Sequence, residues 1–324
     1  MRDMRNIWKE GIFGVVVGDA LGCPVQFEDR DVVAGHPVTG MRGHGTFNLS
    51  AGTWTDDSSL TLALLDSICK TGRLDLNHIM ENFVAWLDRG EFTPYGYSFD
   101  IGFGTMRAIR NYKGMRDPYL CGGRDEANNG NGSLMRIMPA CLYCCAKDME
   151  EAEAACWINA VGSLTHAHTR AVIACGLYWF MVREVLEGTG GLAERMQAGL
   201  DRGFAFYGEN LPDAGELEFY NRLRDLRAFA SVPREEIRSS GYVVDTLEAV
   251  VWSLITTDSF EEALLKAVNL GHDTDTVGAI TGGLAALYYG YEAIPPEWVD
   301  ELKGKEWIAG LCDEADRAVR STGD

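Results

Sequence analysis

No apolar run in this 324-residue chain reaches the roughly 18 residues that a bilayer crossing needs. The longest candidate, Ile12 to Val17, is interrupted by Gly14 and closed by Asp19. Arg2 and Arg5 precede it, but the stretch is too short for a leader and has no small-residue cleavage site, so an unprocessed cytoplasmic chain without membrane attachment is expected. Positive charge is also scarce: 29 Lys and Arg face 48 Asp and Glu, a formal net charge of −19. Such a field repels phosphate backbones and anionic lipid, which argues against a nucleic-acid scaffold or a membrane-surface protein and leaves cationic groups and metal ions as unrepelled partners. The same acidic balance also serves solubility. Proline is sparse and scattered, and no Ser or Gly tract exceeds a few residues, so nothing reads as a linker and one domain spanning 1–324 is expected. Of the nine Cys only Cys141, Cys144 and Cys145 cluster. With no second Cys or His pair at metal-site spacing, they read as buried thiols.

Strict alternation of apolar and polar residues is rare, whereas helical spacing recurs along most of the chain. Ile79, Met80, Phe83, Val84 and Leu87 form one stripe between Asn77 and the stop Gly90. Asp258 likewise precedes Phe260, Ala263, Leu264, Ala267 and Val268, and Gly271 follows. Further periodic segments run over 134–146, 150–161, 168–187, 243–257, 277–289 and 296–302, so the fold is expected to be all-α. A charged excursion covers 187–238, and the Gly-, Pro- and Asn-rich stretches 22–54, 91–100 and 111–133 are the loops on which a site is expected.

Two acidic clusters stand at helix starts. Thr53-Trp54-Thr55-Asp56-Asp57-Ser58 runs into Leu60 to Ile68, and Gly271-His272-Asp273-Thr274-Asp275-Thr276 runs into Val277 to Tyr289. One such side chain suffices to cap a helix, and adjacent like charges are unfavourable unless water or a cation screens them. If the two starts converge, Thr55, Asp56, Asp57, Asp273, Asp275 and Thr276 offer hard oxygen ligands without thiolate or imidazole, which selects Mg²⁺ or Mn²⁺ over zinc, with ligands enough for a pair of ions. Capping alone is the alternative.

Gly14, Gly18 and Gly22 recur at intervals of four, a stripe that admits close approach of either another backbone or a ligand. Asn129, Gly130, Asn131, Gly132 and Ser133 enter a segment containing Leu134, Met135 and Arg136, where free N–H groups at a helix start would cradle a phosphate or where an Asn/Gly turn simply meets a Ser cap. His166 opens a helix as a structural residue or a ligand, and Tyr242 offers packing or a stacking face.

Taken in order, Gly18-Asp19-Ala20-Leu21-Gly22, Trp54-Thr55-Asp56-Asp57, Gly130-Asn131-Gly132-Ser133-Leu134-Met135-Arg136, Leu164-Thr165-His166 and Asp273-Thr274-Asp275-Thr276 resemble the ADP-ribosylglycohydrolase family over nearly the whole chain. The resemblance implies an orthogonal multi-helix all-α fold and a centre of two divalent cations, Mg²⁺ or Mn²⁺, held by the two Thr/Asp clusters. It further implies hydrolysis of the N- or O-glycosidic bond joining ADP-ribose to a target, whether a protein side chain such as arginine or serine, a small conjugate or a nucleobase. It assigns residues 129–133 to the ADP-ribose pocket and sets His166 and Tyr242 near the ribose or target group. One position departs: where many members carry Glu eight residues after the Gly of the Gly-Asp pair, this chain has Gln26. A carboxamide can orient water but cannot take its proton. Gln26 therefore leaves either catalysis that relies on Asp56, Asp57 and Asp275, or a weakened or inactive protein that binds ADP-ribose.

Overall fold

The computed structural model describes residues 6–211 and 214–321. Its helices are α1 (Ile7–Gly22), α2 (Arg30–Gly35), α3 (Asp56–Thr71), α4 (Leu76–Arg89), α5 (Phe103–Met115), α6 (Met138–Ala146), α7 (Glu151–Ser163), α8 (Thr169–Glu187), α9 (Leu192–Asn210), α10 (Leu226–Phe229), α11 (Val243–Ile255), α12 (Phe260–Val268), α13 (Thr274–Tyr289), α14 (Pro296–Glu301) and α15 (Lys305–Ser321). Among the described residues the only β-structure is isolated bridges. No described helix is long and apolar enough to cross a membrane. Buried apolar side chains from Ile7 to Val319 form one continuous core, so the chain is a single all-α unit. Cys141, Cys144 and Cys145 are buried free thiols inside it.

Local chemistry sets the helix ends. Asp75 rather than Asn77 caps α4, accepting from His78 N at 3.1 Å, and Gly90 closes it in the left-handed conformation at φ 67°. Ser259 rather than Asp258 caps α12 through Glu262 N at 3.2 Å. The periodic segment 134–146 is helical only from Met138, and residues 134–136 form turns. The reason is Pro139: a proline lacks the N–H that a helix interior needs and clashes with the preceding turn, so it is accommodated only at a helix start. The expected helix containing Leu134 to Arg136 is therefore absent. Helix α9 lies inside the charged excursion, α5 starts between two of the expected loops and runs into the second as far as Met115, and α15 falls outside every periodic segment identified in the sequence. In α9 the buried stripe Leu192, Met196, Gly199, Leu200, Gly203, Phe204 and Tyr207 is diluted by glycines, which weaken the apolar signal while letting the helix lie against α8.

The central packing is between α1 and α13. A Cβ on Gly14 would lie 2.2 Å from the Gly282 carbonyl oxygen, one on Gly18 2.0 Å from that of Gly278, and one on Gly22 2.4 Å from the Asp275 amide. In return, a Cβ on Gly278 would meet the Gly18 carbonyl oxygen at 2.4 Å and one on Gly282 that of Gly14 at 2.1 Å. Of the two uses open to the glycine stripe, it is backbone and not ligand that approaches. Each glycine gives up roughly 1 kcal/mol of helix propensity, which the close backbone packing offsets. Gly18→Ala should force the helices apart and lower the unfolding free energy by about 1–3 kcal/mol, the usual range for overpacking. Denaturant unfolding checks this, and an unchanged midpoint would show that the helix pair has slack.

Candidate active site

The first turn of α3 is capped from outside. Asp19, buried on α1, accepts from the Thr55 and Ser58 amides at 3.0 Å and from the Ser58 hydroxyl at 2.6 Å. Thr55 holds an extended N-cap conformation, and its own hydroxyl oxygen takes the Asp57 amide at 3.4 Å. The Thr55, Asp57 and Ser58 amides are thus met by Asp19 and Thr55, which leaves the Asp56 and Asp57 carboxylates without capping duty. At the other start, Asp273 sits at the N-cap of α13 but makes no capping hydrogen bond. It accepts instead from Asn131 Nδ2 at 2.5 Å. Capping therefore does not account for the doubled carboxylates.

Because α1 holds Asp19 and packs on α13, the two starts meet. Thr55 Oγ1 stands 3.2 Å from both Asp57 Oδ2 and Asp275 Oδ2, and Thr276 Oγ1 donates to Asp57 Oδ2 at 3.4 Å. Asp56, Asp57, Asp273 and Asp275 are all buried or nearly so, and burial together with the surrounding carboxylates raises Asp56, Asp57 and Asp275 well above the usual carboxylate range. Burial pushes Asp19 up to about 7 against the hydrogen bonds it receives. Oδ1 of Asp57 and Oδ1 of Asp275 are buried without a hydrogen-bond partner. Among the described residues no three His, Cys, Asp or Glu side chains stand at the spacing of a closed metal cage. The donor set here is mixed, with threonine hydroxyls between the carboxylates.

Asp56, Asp57, Asp273 and Thr276 open into a cavity of about 310 Å³, which Gln26, Asp100, Gly130, Asn131, Gly132 and His166 also line. Thr55 and Asp275 lie behind this wall. Asn129, Ser133 and Tyr242 do not reach it either. Asn129 Nδ2 bonds the Glu126 carbonyl oxygen at 2.9 Å, Ser133 is buried against Cys175, and the Tyr242 hydroxyl accepts from Arg170 Nη1 at 3.0 Å. Their loop still belongs to the site through its backbone, since Asn131 N donates to Gly241 O at 3.1 Å and Val243 N to Asn129 O at 2.9 Å. With no helix at Leu134, the phosphate-cradling helix start is not formed. Gly130 and Gly132 instead face the His166 ring, where a Cβ on Gly132 would lie 2.7 Å from Cε1.

The cavity also holds what sequence reasoning missed. Asp100 ends the 91–100 loop, accepts from Gln26 Nε2 at 2.8 Å, and is raised above its ordinary range by burial. A lone acid in a loop carries no periodic or pairing signal, so only the loop itself was legible. Phe27, Asp100 and His272 hold φ of 67°, 54° and 61°, a rare conformation for side chains of this size and a mark of imposed geometry. Phe27 N donates to His272 O at 2.6 Å and His272 N to Glu28 O at 2.8 Å, tying the Gln26 segment to the start of α13. From Phe27, 63% exposed at the mouth, a row of rings runs outward through Phe47, Phe99, Tyr97 and Tyr95 with centroids 5.3–6.4 Å apart.

The family profile described as ADP-ribosylglycohydrolase matches residues 3–324. The ADP-ribosylarginine hydrolase Tri1 of Serratia proteamaculans is 33% identical over 306 residues, covering 94% of this chain and 78% of that protein. The ADP-ribosyl-(dinitrogen reductase) glycohydrolase of Rhodospirillum rubrum is 33% identical over 295 residues, covering 90% and 88%. Among solved structures, an ADP-ribosylglycohydrolase-related protein complex superposes with a TM-score of 0.77 at 31% identity, covering 98% of this chain and all of that one. With the glycine-packed helix pair, the two acidic helix starts and the ordered motifs all in one frame, the chain belongs to the ADP-ribosylglycohydrolase family.

Proposed function

We propose that this ADP-ribosylglycohydrolase releases ADP-ribose from an arginine side chain of a modified protein, with two divalent cations, Mg²⁺ or Mn²⁺, assisting. The observation that carries the reading is the meeting of two acidic helix starts whose carboxylates have no capping work, beside a cavity large enough for a ribose. Thr55, Asp56, Asp57, Asp273, Asp275 and Thr276 would hold the ions. The unpartnered Oδ1 atoms of Asp57 and Asp275 fit that use, and the all-oxygen set suits hard cations. Bound there, the ions would neutralise the carboxylates and act as Lewis acids toward ribose oxygens and water.

The chain's own groups divide the remaining work. Asp100 is the carboxylate placed to take a proton from water as the water oxygen bonds to the anomeric carbon. The C–N bond breaks with its electron pair staying on the acceptor nitrogen. Gln26 fixes Asp100 through its Nε2–H, and its buried, unpartnered Oε1 is free to orient water or a ribose hydroxyl. The acidic wall stabilises positive charge that develops on the ribose. The protein acceptor is supported by the names of the relatives and by the aromatic row, which extends the pocket into a surface that stacks on peptide and guanidinium groups.

The carboxylates set a pH dependence. Their native pKa values lie above the unfolded ones, so protons stay on the folded protein longer and metal-free stability should fall as pH rises from about 4 through about 7. Mg²⁺ or Mn²⁺ should restore the lost stability, and more so at higher pH, because ligation needs deprotonated oxygens. Calorimetry at pH 5 and pH 8 tests this. No metal-induced shift, or full binding in both Asp56→Ala and Asp275→Ala, would remove the metal reading.

Turnover on an ADP-ribosylarginine protein should nearly vanish in Asp56→Ala and Asp275→Ala, fall about 100- to 10,000-fold in Asp100→Asn, and fall moderately in Gln26→Ala. Gln26→Glu sets a second carboxylate against Asp100 and should also slow the enzyme. A faster Gln26→Glu would mark the wild type as a weakened enzyme. Stoichiometric ADP-ribose binding without release from any acceptor would make the chain a binding protein. Gly132→Val should displace His166 and weaken ADP-ribose binding in a folded protein, and unchanged affinity by titration would remove that loop from the pocket.

A further inference from the structure

Arg136 is fully buried, and among the described residues no carboxylate lies beside it. Its Nη2 donates to the Val161 carbonyl oxygen at 3.2 Å and to Thr165 Oγ1 at 2.8 Å, its guanidinium lies 4.8 Å from the centre of the Phe83 ring, and its Nε and Nη1 have no hydrogen-bond partner. A buried cation left this poorly compensated is costly, and apolar replacements of such groups are often neutral or stabilising. Its one side-chain hydrogen bond leads to the site: Thr165 Oγ1 is also 2.9 Å from His166 Nδ1.

Donor bookkeeping orders this chain of contacts. The guanidinium can only donate, so Thr165 Oγ1 accepts from Arg136. Among the described residues the remaining partner of that hydroxyl is His166 Nδ1. If Nδ1 carried the ring proton, Thr165 would accept twice and its own O–H would be buried without an acceptor, a loss comparable to a missing hydrogen bond. The satisfied arrangement has Thr165 donating and Nδ1 accepting. Burial and the positive charges of Arg136 and Arg107 push His166 down to about 3, so the ring is neutral and its proton sits on Nε2. The backbone fixes where that nitrogen points: Gly123 N donates to Thr165 O at 3.2 Å and Ala167 N to Gly123 O at 2.8 Å, pinning residues 165–167. Around Nε2 the wall is glycine, with added Cβ atoms on Gly104, Gly130 and Gly132 falling 2.8, 3.4 and 3.4 Å from it.

We infer that Arg136 and Thr165 are positioning residues that lock His166 in the Nε2–H tautomer, so that the pocket presents an obligate donor and requires an oxygen acceptor of the ligand opposite it. The inference rests on the ADP-ribose reading for the identity of that ligand, whose candidate acceptors are a phosphate oxygen and a hydroxyl of the distal ribose. It also gives the buried arginine a use: taking one lone pair of Thr165 leaves the hydroxyl proton only one way to turn.

Nitrogen-15 NMR of the imidazole ring in the ligand-free protein separates bare from protonated nitrogens. Wild type and Thr165→Ser should show a bare Nδ1 and a protonated Nε2 at neutral pH, whereas Thr165→Val and Arg136→Met should show a mixture or the opposite tautomer. ADP-ribose should bind Thr165→Val about 3- to 10-fold more weakly than wild type, with Thr165→Ser restoring affinity. ADP, which lacks the distal ribose, identifies the acceptor: an equal loss for ADP indicates a phosphate oxygen, and a loss confined to ADP-ribose indicates the ribose. A wild-type ring protonated on Nδ1 overturns the inference, as does Thr165→Val with unchanged tautomer. The expected tautomer together with no ADP-ribose binding upholds the lock and overturns the ADP-ribose reading instead. Because the wild-type spectrum is itself a test, a variant that fails to fold does not remove it.

Discussion

The site depends on one contact, the approach of α1 to α13 at backbone distance. Glycines at 14, 18 and 22 on one helix and at 278 and 282 on the other remove every side chain that would hold the pair apart. Two things follow from that closeness. Asp19 on α1 is delivered to the first turn of α3, and the first turn of α13 is delivered beside it, so that Thr55 can touch Asp57 and Asp275 at once. A helix pair with ordinary side chains between its axes would separate the two acidic starts by the thickness of those side chains. Helices α8 and α9 also approach through glycines, Gly199 and Gly203, but the α1 and α13 pair is the one whose ends carry the carboxylates.

The capping arrangement explains why so many carboxylates are tolerated in one buried place. A helix start offers several unpaired N–H groups and favours negative charge nearby. Asp19 and Thr55 take the Thr55, Asp57 and Ser58 amides at the start of α3, so Asp56 and Asp57 retain the favourable end of the helix dipole without being tied to its backbone. Asn131 does a related job for Asp273, supplying a side-chain donor where the helix N–H is not used. What is left over is mutual repulsion and desolvation, and the raised pKa values express that remainder. A protein that retains such a cluster retains it at a cost to its own folding, which is the signature of a group kept for binding rather than stability.

Much of this was written in the sequence, and the parts that were not share a cause. Doubled Asp with flanking Thr at two helix starts is a local pattern, visible without knowing where the segments go, and the glycine interval was visible in the same way. Whether the stripe served a ligand or a helix depended on Gly278 and Gly282, some 260 residues away, and periodicity within one segment does not report its partner. Asp100 was silent for a similar reason, and Asp19 was visible in its motif but not in its capping role, since those roles come from Gln26, Thr55 and Ser58, which meet them only in the folded chain. The missing helix at Leu134 is a different failure, because Pro139 was there to be read and the apolar run around it masked its meaning. Ser133 and Tyr242 show the limit of carrying roles by motif: both sit in the right segments, and both turn their side chains to Cys175 and Arg170 instead of the cavity.

The assembled pocket is polarised, and the polarity follows the ligand class. Part of the lining, Asp56, Asp57, Asp100 and Asp273, is acidic. It favours cations, hydroxyl donors and a sugar carbon that gains positive charge as its bond breaks. Another part of the lining holds glycines and an imidazole. It is made of Gly104, Gly130 and Gly132 around the His166 ring, backed by Arg136 and Arg107, and it favours oxygen acceptors. On the proposed reading, a molecule with a ribose at one end and a pyrophosphate beside it would set its ribose toward the carboxylates and its phosphates toward His166. In the reverse orientation phosphate oxygens would face carboxylates, and that like-charge contact in a buried site is the larger energetic term. On the proposed reading, the anomeric carbon would come to lie near Asp100 because of what the pocket repels as much as what it binds, and the aromatic row beyond Phe27 would receive the acceptor.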